Sequence, residues 1–470
     1  MPDRASNSPK HFHFSGICGT AMGSVAAAMK QQGFVVTGSD AGVYPPMSTF
    51  LEEQGIEIRE GFAEENIPAE ADVVVIGNAL SRGNPEVEAV LERKLLYQSL
   101  PEVLKNHFLR GRRNLVVTGT HGKTTTVSML AWILESAGRN PSFMIGGIPR
   151  NLGKGARFTE SEFTVIEGDE YDTAFFDKRS KFHHYLPEAV VVNNVEFDHA
   201  DIYDSLDAIK LTFRRMLNLV PRNGCAFVNG DEENALEVAA DCPAPVKTVG
   251  LGESCDLRIT GISATSDHTD FLLNAEEYSV PMHGEFNIRN AAMAVCMARF
   301  AGLSADEVRE GLADFAGIAR RQELRGEAGG VRVIDDFAHH PTAIAQAIDA
   351  IRLRYPTDGK LWAVFEPRSN TTQRKVFQDE LPAALAKADG VFLAPVANPE
   401  KVPEKDRLST DAVLDAIRSK GKTAEFARGG VAEIVDMLVQ QVAEGDVVSV
   451  FSNGGFDNVH QRLLDALEQR

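Results

Sequence analysis

Between Val116 and Thr126 the chain reads Val-Val-Thr-Gly-Thr-His-Gly-Lys-Thr-Thr-Thr, an apolar run that breaks at Gly119, turns through Gly122 and continues into an apolar stretch. Glycines in a strand-to-helix turn let backbone N–H groups converge on an anion, and the helix N-terminus behind them adds its dipole. Lys123 offers a point charge to a polyphosphate, and the Thr124 hydroxyl offers a hard ligand to Mg²⁺. The spacing departs from G-x-x-x-x-G-K-[ST], because Val117 occupies the place of the leading glycine. That shorter loop argues against a regulatory GTPase. A tight turn with an exposed lysine is the competing reading.

Further clusters fall where other apolar runs end. Gly16, Cys18, Gly19, Thr20 and Gly23 follow His11 to Ser15, and Asp40 closes the next run. A nucleotide diphosphate over a helix N-terminus, with an acid on a ribose, fits that pattern. Its spacing, G-x-x-G-x-x-x-G, also fits simple close packing of a helix on a strand. Glu167-Gly168-Asp169-Glu170 supplies carboxylates of the kind Mg²⁺ requires, and Asn193 to His199 ends another run with a candidate metal-ligating histidine. Asp335-Asp336-Phe337-Ala338-His339-His340-Pro341 puts two acids and two histidines before a proline, although capping and turn formation also favour acids there.

These residues need a scaffold that delivers strand ends to one place. At 470 residues the chain is too long for one core and predicts about three domains of roughly 150 residues. Short apolar runs alternate with helical stretches, the signature of an α/β protein with parallel sheets. Strands are expected at 11–15, 34–38, 56–59, 72–77, 115–118, 189–195, 331–334, 361–365, 390–393 and 446–451, with a helix over 124–136. The expected domains are 1–109, 110–322 and 323–470, the last boundary lying in the glycine-containing stretch 321–330.

Composition narrows the class. Hydrophobic residues make up 43% and charged residues 24%, as in globular proteins rather than disordered chains. The net charge of -19 repels nucleic acid and anionic membranes, so a phosphate ligand has to be captured locally. Five scattered cysteines without a C-x-x-C pair argue against structural zinc and disulfides and suit a reducing cytoplasm. The first ten residues are polar, read as a disordered lead-in rather than a signal peptide.

Taken together the motifs resemble the Mur ligase family, ATP-dependent amide-forming enzymes of peptidoglycan synthesis, over nearly the whole chain. Gly119, Thr120, His121, Gly122, Lys123, Thr124 and Thr125 resemble the family's phosphate loop, including its missing leading glycine. The resemblance implies three α/β units: an N-terminal Rossmann-like domain, a central P-loop-type ATPase and a C-terminal Rossmann-like domain. It implies Glu167 and His199 as metal residues with Thr124, Asn287 and Asn290 as adenine contacts, and Arg321 and Asp336 as hinge and ribose contacts. Phe286 departs from the family's usual histidine. Lys210 lies near the position that several members carbamylate, which stays open.

Within the family, the glycine-rich N-terminus and Asp335 to Pro341 resemble the branch that takes UDP-N-acetylmuramate, which implies Gly16, Cys18, Gly19, Thr20, Asp40 and Asn78 as contacts to the UDP-sugar. The segments 77–85, 365–371 and 452–456, with Arg368, Ser369 and Asn370 as peptide contacts, resemble members that attach the recycled tripeptide L-alanyl-γ-D-glutamyl-meso-diaminopimelate. The alternative is the L-alanine-adding ligase. The resemblance implies ATP and Mg²⁺ as cofactors, small-molecule substrates, and a cytoplasmic monomer or weak dimer with neither nucleic acid nor membrane as partner. Either His340 or an acid such as Asp336 could serve as base for the attacking amine. An NAD-dependent oxidoreductase would leave the 119–126 loop unemployed, and a non-catalytic nucleotide-binding protein would not need Glu167 and His199.

Overall fold

The computed structural model describes residues 10–44 and 47–470, so the polar lead-in up to residue 9 lies outside the described residues. The first sheet contains β1 (His11–Ser15), β2 (Val35–Asp40), β3 (Glu57–Glu60), β4 (Val73–Ile76) and β5 (Tyr97–Ser99), all parallel in the order β3-β2-β1-β4-β5. The chain leaves β1 toward β2 on one side and later returns to β4 on the other. The loops after β1, β2 and β4 therefore open a crevice at their carboxyl ends, where open α/β sheets bind ligands.

The second sheet follows from β6 (Arg113–Thr118), β7 (Ser142–Met144), β8 (Ala156–Arg157) and β9 (Phe163–Glu167). A separate hairpin, β10 (Asp172–Ala174) with β11 (Asp177–Ser180), stands beside it. Next come β12 (Ala189–Val192), β13 (Cys225–Asn229), β14 (Val246–Gly250), β15 (Leu257–Ala264), β16 (Thr269–Leu273) and β17 (Glu276–Val280). The order β17-β16-β15-β14-β13-β12-β6-β9-β7-β8 places β6 at the switch point between β12 and β9. Its interior strands are Val-rich because both faces are covered.

Helices Lys123–Ser136 and Glu285–Phe300 pack together on one face, and the first is buried almost all round, which explains why it shows no clear polar stripe. The other face belongs to a cluster in which Val116, Val190 and Phe213 join Phe12, Phe14 and Val75 of the first sheet's body. One continuous core therefore underlies the first two sheets.

The third sheet holds β18 (Glu323–Ala328), β19 (Val331–Asp336), β20 (Leu361–Phe365), β21 (Gly390–Leu393), β22 (Thr423–Phe426) and β23 (Val447–Phe451), in the order β18-β19-β23-β20-β21-β22. Separate clusters cover its two faces, around Ile344 and Ile348 on one and around Ile434 and Leu438 on the other.

Most of the expected strands form within a residue or two, and the differences are physical. The run expected over 189–195 leaves the sheet after Val192, because Asn193 and Asn194 turn in to support the loop that follows β6. The stretch 321–330 is not a linker throughout: Glu323–Ala328 pairs antiparallel with β19 as an edge strand. Its charged residues Glu323, Arg325 and Glu327 suit an exposed edge and hide it from a search for apolar runs. Antiparallel edges also occur at β8 and at β16 and β17, so the central sheet is mixed. All five cysteines are free. Among the described residues no helix is long and apolar enough to cross a membrane.

Candidate active site

The carboxyl ends of all three sheets face one cavity of about 1090 Å³. At its centre, β6 ends at Thr118 and the loop turns through Gly119, at φ +133°, and Gly122, at φ +78°. Glycine is required at both positions for the backbone angle and for space, since a Cβ at Gly119 would lie 2.9 Å from that of Asn193 and one at Gly122 would overlap the Asn290 amide. The loop is held from outside: Asn194 Oδ1 accepts the His121 amide at 2.7 Å, and Asn193 Nδ2 donates to Thr126 Oγ1 at 3.2 Å.

Lys123 opens the helix, and its Nζ donates to the Gly119 carbonyl at 2.6 Å and to both Glu170 oxygens at 3.0 and 2.8 Å. Thr124 Oγ1 donates to Glu167 Oε1 at 3.0 Å, and the Gly146 amide donates to the other Glu167 oxygen at 2.7 Å. His199 Nε2 lies 3.0 Å from Glu170 Oε1. Glu170, 2% exposed, thus joins the two positive groups, a role that the sequence reading did not assign it.

The electrostatics follow from burial and pairing. Burial works against the Lys123 ammonium and the Glu170 carboxylate, yet their mutual attraction outweighs it and keeps both charged. His199 is also desolvated, but Glu170 raises its pKa above the usual imidazole value. Burial pushes Glu167 and Asp336 up. A hydroxyl and a carboxylate 3.0 Å apart beside a phosphate-type lysine form a hard-oxygen donor set, which fits Mg²⁺. His199 instead turns to Glu170 in this arrangement.

The first sheet contributes Gly16, Cys18, Gly19, Thr20, Asp40 and Asn78 to the cavity wall. Asp40 accepts the Cys18 and Gly42 amides, each at 2.9 Å, and so fixes the glycine loop. Gly23 has no such part: a Cβ there would collide with Met47 and the Ile17 carbonyl, which is the close-packing role. Beneath the loop, fully buried Glu86 accepts from Ser15 at 2.5 Å and Ser39 at 2.6 Å, tying β1 to β2 just before their ligand-facing residues. A lone glutamate on a helix gave no signal of this in the sequence.

From the third sheet come Arg321, Asp336, His340, Arg368, Ser369 and Asn370. Arg321 reaches Thr124 Oγ1 at 3.4 Å and lies over the Phe337 ring. Asp336 accepts the Gln322 and Ala338 amides at 2.9 and 2.7 Å, bracing the hinge between the second and third sheets. The two bodies also meet where Thr371 donates to Asp198 at 2.6 Å and Asn370 to Asp201 at 2.8 Å. Arg368, beside Gly454, keeps only a 3.3 Å contact with Glu366.

Thr120, His121, Thr125, Asn287 and Asn290 line the cavity as well, whereas Gly119 does not. Asn287 donates to the His283 carbonyl at 2.8 Å. His340 caps its helix by accepting the Thr342 amide at 3.3 Å, and burial pushes its pKa down to about 3. A neutral imidazole that weakly basic is a poor proton acceptor, which argues against it as the amine's base. Asp336 has both oxygens engaged by amides. Lys210 lies outside the cavity wall and pairs with Glu237 at 2.5 Å, so nothing places a carbamylated lysine here.

Family models match in series: the Mur ligase family catalytic domain over residues 11–112, the Mur ligase middle domain over 117–298, and the Mur ligase glutamate ligase domain over 320–454. The chain is 43% identical over 462 residues to the UDP-N-acetylmuramate–L-alanyl-γ-D-glutamyl-meso-2,6-diaminoheptandioate ligase of Escherichia coli K12, covering 97% of this chain and 98% of that one. It is 32% identical to the UDP-N-acetylmuramate–L-alanine ligase of a Psychrobacter strain, over 97% of this chain and 94% of the other. The crystal structure of a murein peptide ligase from Psychrobacter arcticus superposes with a TM-score of 0.72 at 35% identity, covering 98% and 99% of the two chains. With three family domains in order and relatives this similar along their full length, the chain belongs to the Mur ligase family.

Proposed function

We propose that the protein is an ATP-dependent, ADP-forming ligase that joins L-alanyl-γ-D-glutamyl-meso-diaminopimelate to UDP-N-acetylmuramate in peptidoglycan recycling. The observation that carries the substrate is the full-length 43% identity to a ligase named for that reaction, against 32% to the L-alanine ligase. Residues 1–109 would hold the UDP-sugar, 110–322 ATP, and 323–470 the peptide. The protein would work in the cytoplasm as a monomer or weak dimer.

A carboxylate is a poor acyl donor. Attack of the lactoyl carboxylate oxygen on the γ-phosphorus of ATP expels ADP and leaves an acyl phosphate. The peptide's neutral amine then attacks the acyl carbon, and the tetrahedral intermediate expels phosphate as the amine proton departs. Lys123 meets the charge that develops on the transferring group, and the loop's backbone N–H groups orient it. Thr124 and Glu167, with His199 nearby, would hold Mg²⁺, which would supply Lewis-acid charge neutralisation. Arg321 and Asp336 would position the nucleotide, while Asn287 and Asn290 flank adenine. On the far wall, the Arg368 guanidinium suits a peptide carboxylate, with Ser369 and Asn370 beside it.

The deciding experiment offers tripeptide and L-alanine in parallel, each with ATP, Mg²⁺ and UDP-N-acetylmuramate. Tripeptide-dependent ADP release with incorporation into the muramyl nucleotide is expected. Incorporation of L-alanine in preference would overturn the proposed substrate.

A further inference from the structure

Beside the phosphate loop, three side chains converge that the reaction above does not use together. His121 comes from the loop itself, Glu196 from the segment after β12, and His340 from the first turn of helix Pro341–Arg354 in the C-terminal body. One donor atom from each lies within 4.8 Å of the others. His121 Nε2 is 3.7 Å from Glu196 Oε1, and His340 Nδ1 is 3.6 Å from Glu196 Oε2. Those gaps are too long for hydrogen bonds, but two ligands each about 2.0–2.1 Å from a tetrahedral ion stand roughly 3.4 Å apart. His121 Nε2 is moreover sealed from solvent without any hydrogen-bond partner.

We propose that His121, Glu196 and His340 bind one divalent transition cation of the Zn²⁺ class, bridging the phosphate loop and the C-terminal body. Two imidazoles and a carboxylate match the donor set of open zinc sites, whose fourth position takes a water or substrate. Mg²⁺, which demands oxygen ligands, belongs instead at Thr124 and Glu167.

The surroundings orient the donors. Thr342 Oγ1 donates to Glu196 Oε2 at 2.7 Å, and the His340 ring is held between the rings of His121 and Phe377, at 4.3 and 4.5 Å. Such outer contacts fix ligand geometry. The competing engagement is the 3.3 Å bond from the Thr342 amide to His340 Nδ1, which the ion has to displace. Because the ligands come from two bodies, an occupied site ties them together. The assignment does not depend on which amine the enzyme uses.

The test titrates Co²⁺ into the chelator-stripped full chain under saturating Mg²⁺, following visible d–d bands, and then displaces it with Zn²⁺. One Co²⁺ per chain is expected. Glu196→Gln and Thr342→Val should each weaken binding at least about tenfold, while His199→Gln should leave it unchanged. Absence of the bands, their persistence in both variants, their loss in His199→Gln, or thiolate charge-transfer bands from a cysteine would each overturn the proposal. Circular dichroism without metal confirms that the variants fold, and if Glu196→Gln does not, Thr342→Val decides.

Discussion

The Lys123 ammonium lies 2.8 Å from the Glu170 carboxylate, so the lysine that should grip a phosphate is already held by an internal anion. A phosphoryl oxygen arriving at the loop must compete with Glu170 for that cation. The pair sits in a nearly solvent-free setting, where breaking one side costs far more than removing both.

Lys123→Ala is expected to lower kcat by at least roughly 10²–10³-fold. It also strands the Glu170 charge and should destabilise the fold by about 3 kcal/mol, at the low end for a broken buried pair because His199 remains. The double variant Lys123→Ala/Glu170→Gln should regain melting temperature and stay inactive. Full turnover in the single variant, or no thermal recovery in the double, would contradict this account.

Arg368→Ala should raise KM for the tripeptide about tenfold or more, the worth of one charge-assisted contact, with KM for ATP little changed. Gly454→Ala tests the same wall without touching the charge, because the new methyl group would push into the Arg368 side chain. Steady-state kinetics showing equal effects on both substrates would move Arg368 out of the peptide site.

For Gly122→Ala the left-handed backbone, φ +78°, costs about 1–2 kcal/mol, and contact with Asn290 adds to it. Nucleotide affinity should fall more than stability, since the loop cannot keep its shape around the phosphates. Isothermal titration with a nonhydrolysable ATP analogue checks this. Wild-type affinity would show that the loop is not the nucleotide's cradle.

Asp177 probes acid stability. Its hydrogen bonds from Arg179, with a further contact to His184, depress its pKa from 3.8 to about 2. A carboxylate depressed in the folded state stabilises it above the unfolded pKa and loses that contribution as pH falls through the folded one. Melting temperature should therefore drop between about pH 4 and pH 2, and Asp177→Asn should flatten that slope. An unchanged slope would mean that the contacts do not survive in solution.

Legibility in the sequence followed a physical divide. Buried parallel strands such as Leu361–Phe365 and Gly390–Leu393 are written as uninterrupted apolar runs, and their ends were readable to the residue. The turn between Gly119 and Lys123 was equally plain in shape, because its glycines stand where the backbone takes positive φ and the helix starts directly after them. Edge strands were not: Glu323–Ala328 alternates charge, and Glu276–Val280 mixes acids with a buried Tyr278. Glu170 and Glu86 were invisible in their roles for a different reason. A buried carboxylate is defined by the partners that fold around it, and those are distant in the chain: Glu86 is 71 positions from Ser15, and Glu170 is 47 from Lys123 and 29 from His199.

A chamber assembled from three successive bodies is also assembled in time. Bodies fold as units, amino-terminal first, while the ribosome is still at work. The Lys123 loop is thus seated on its sheet before the wall bearing Arg368 has been made. A nascent chain at that stage has the Lys123 loop in place with no Arg368 wall opposite, and the chamber is complete only when the final strand, Val447–Phe451, slots between β19 and β20 at the middle of the last sheet.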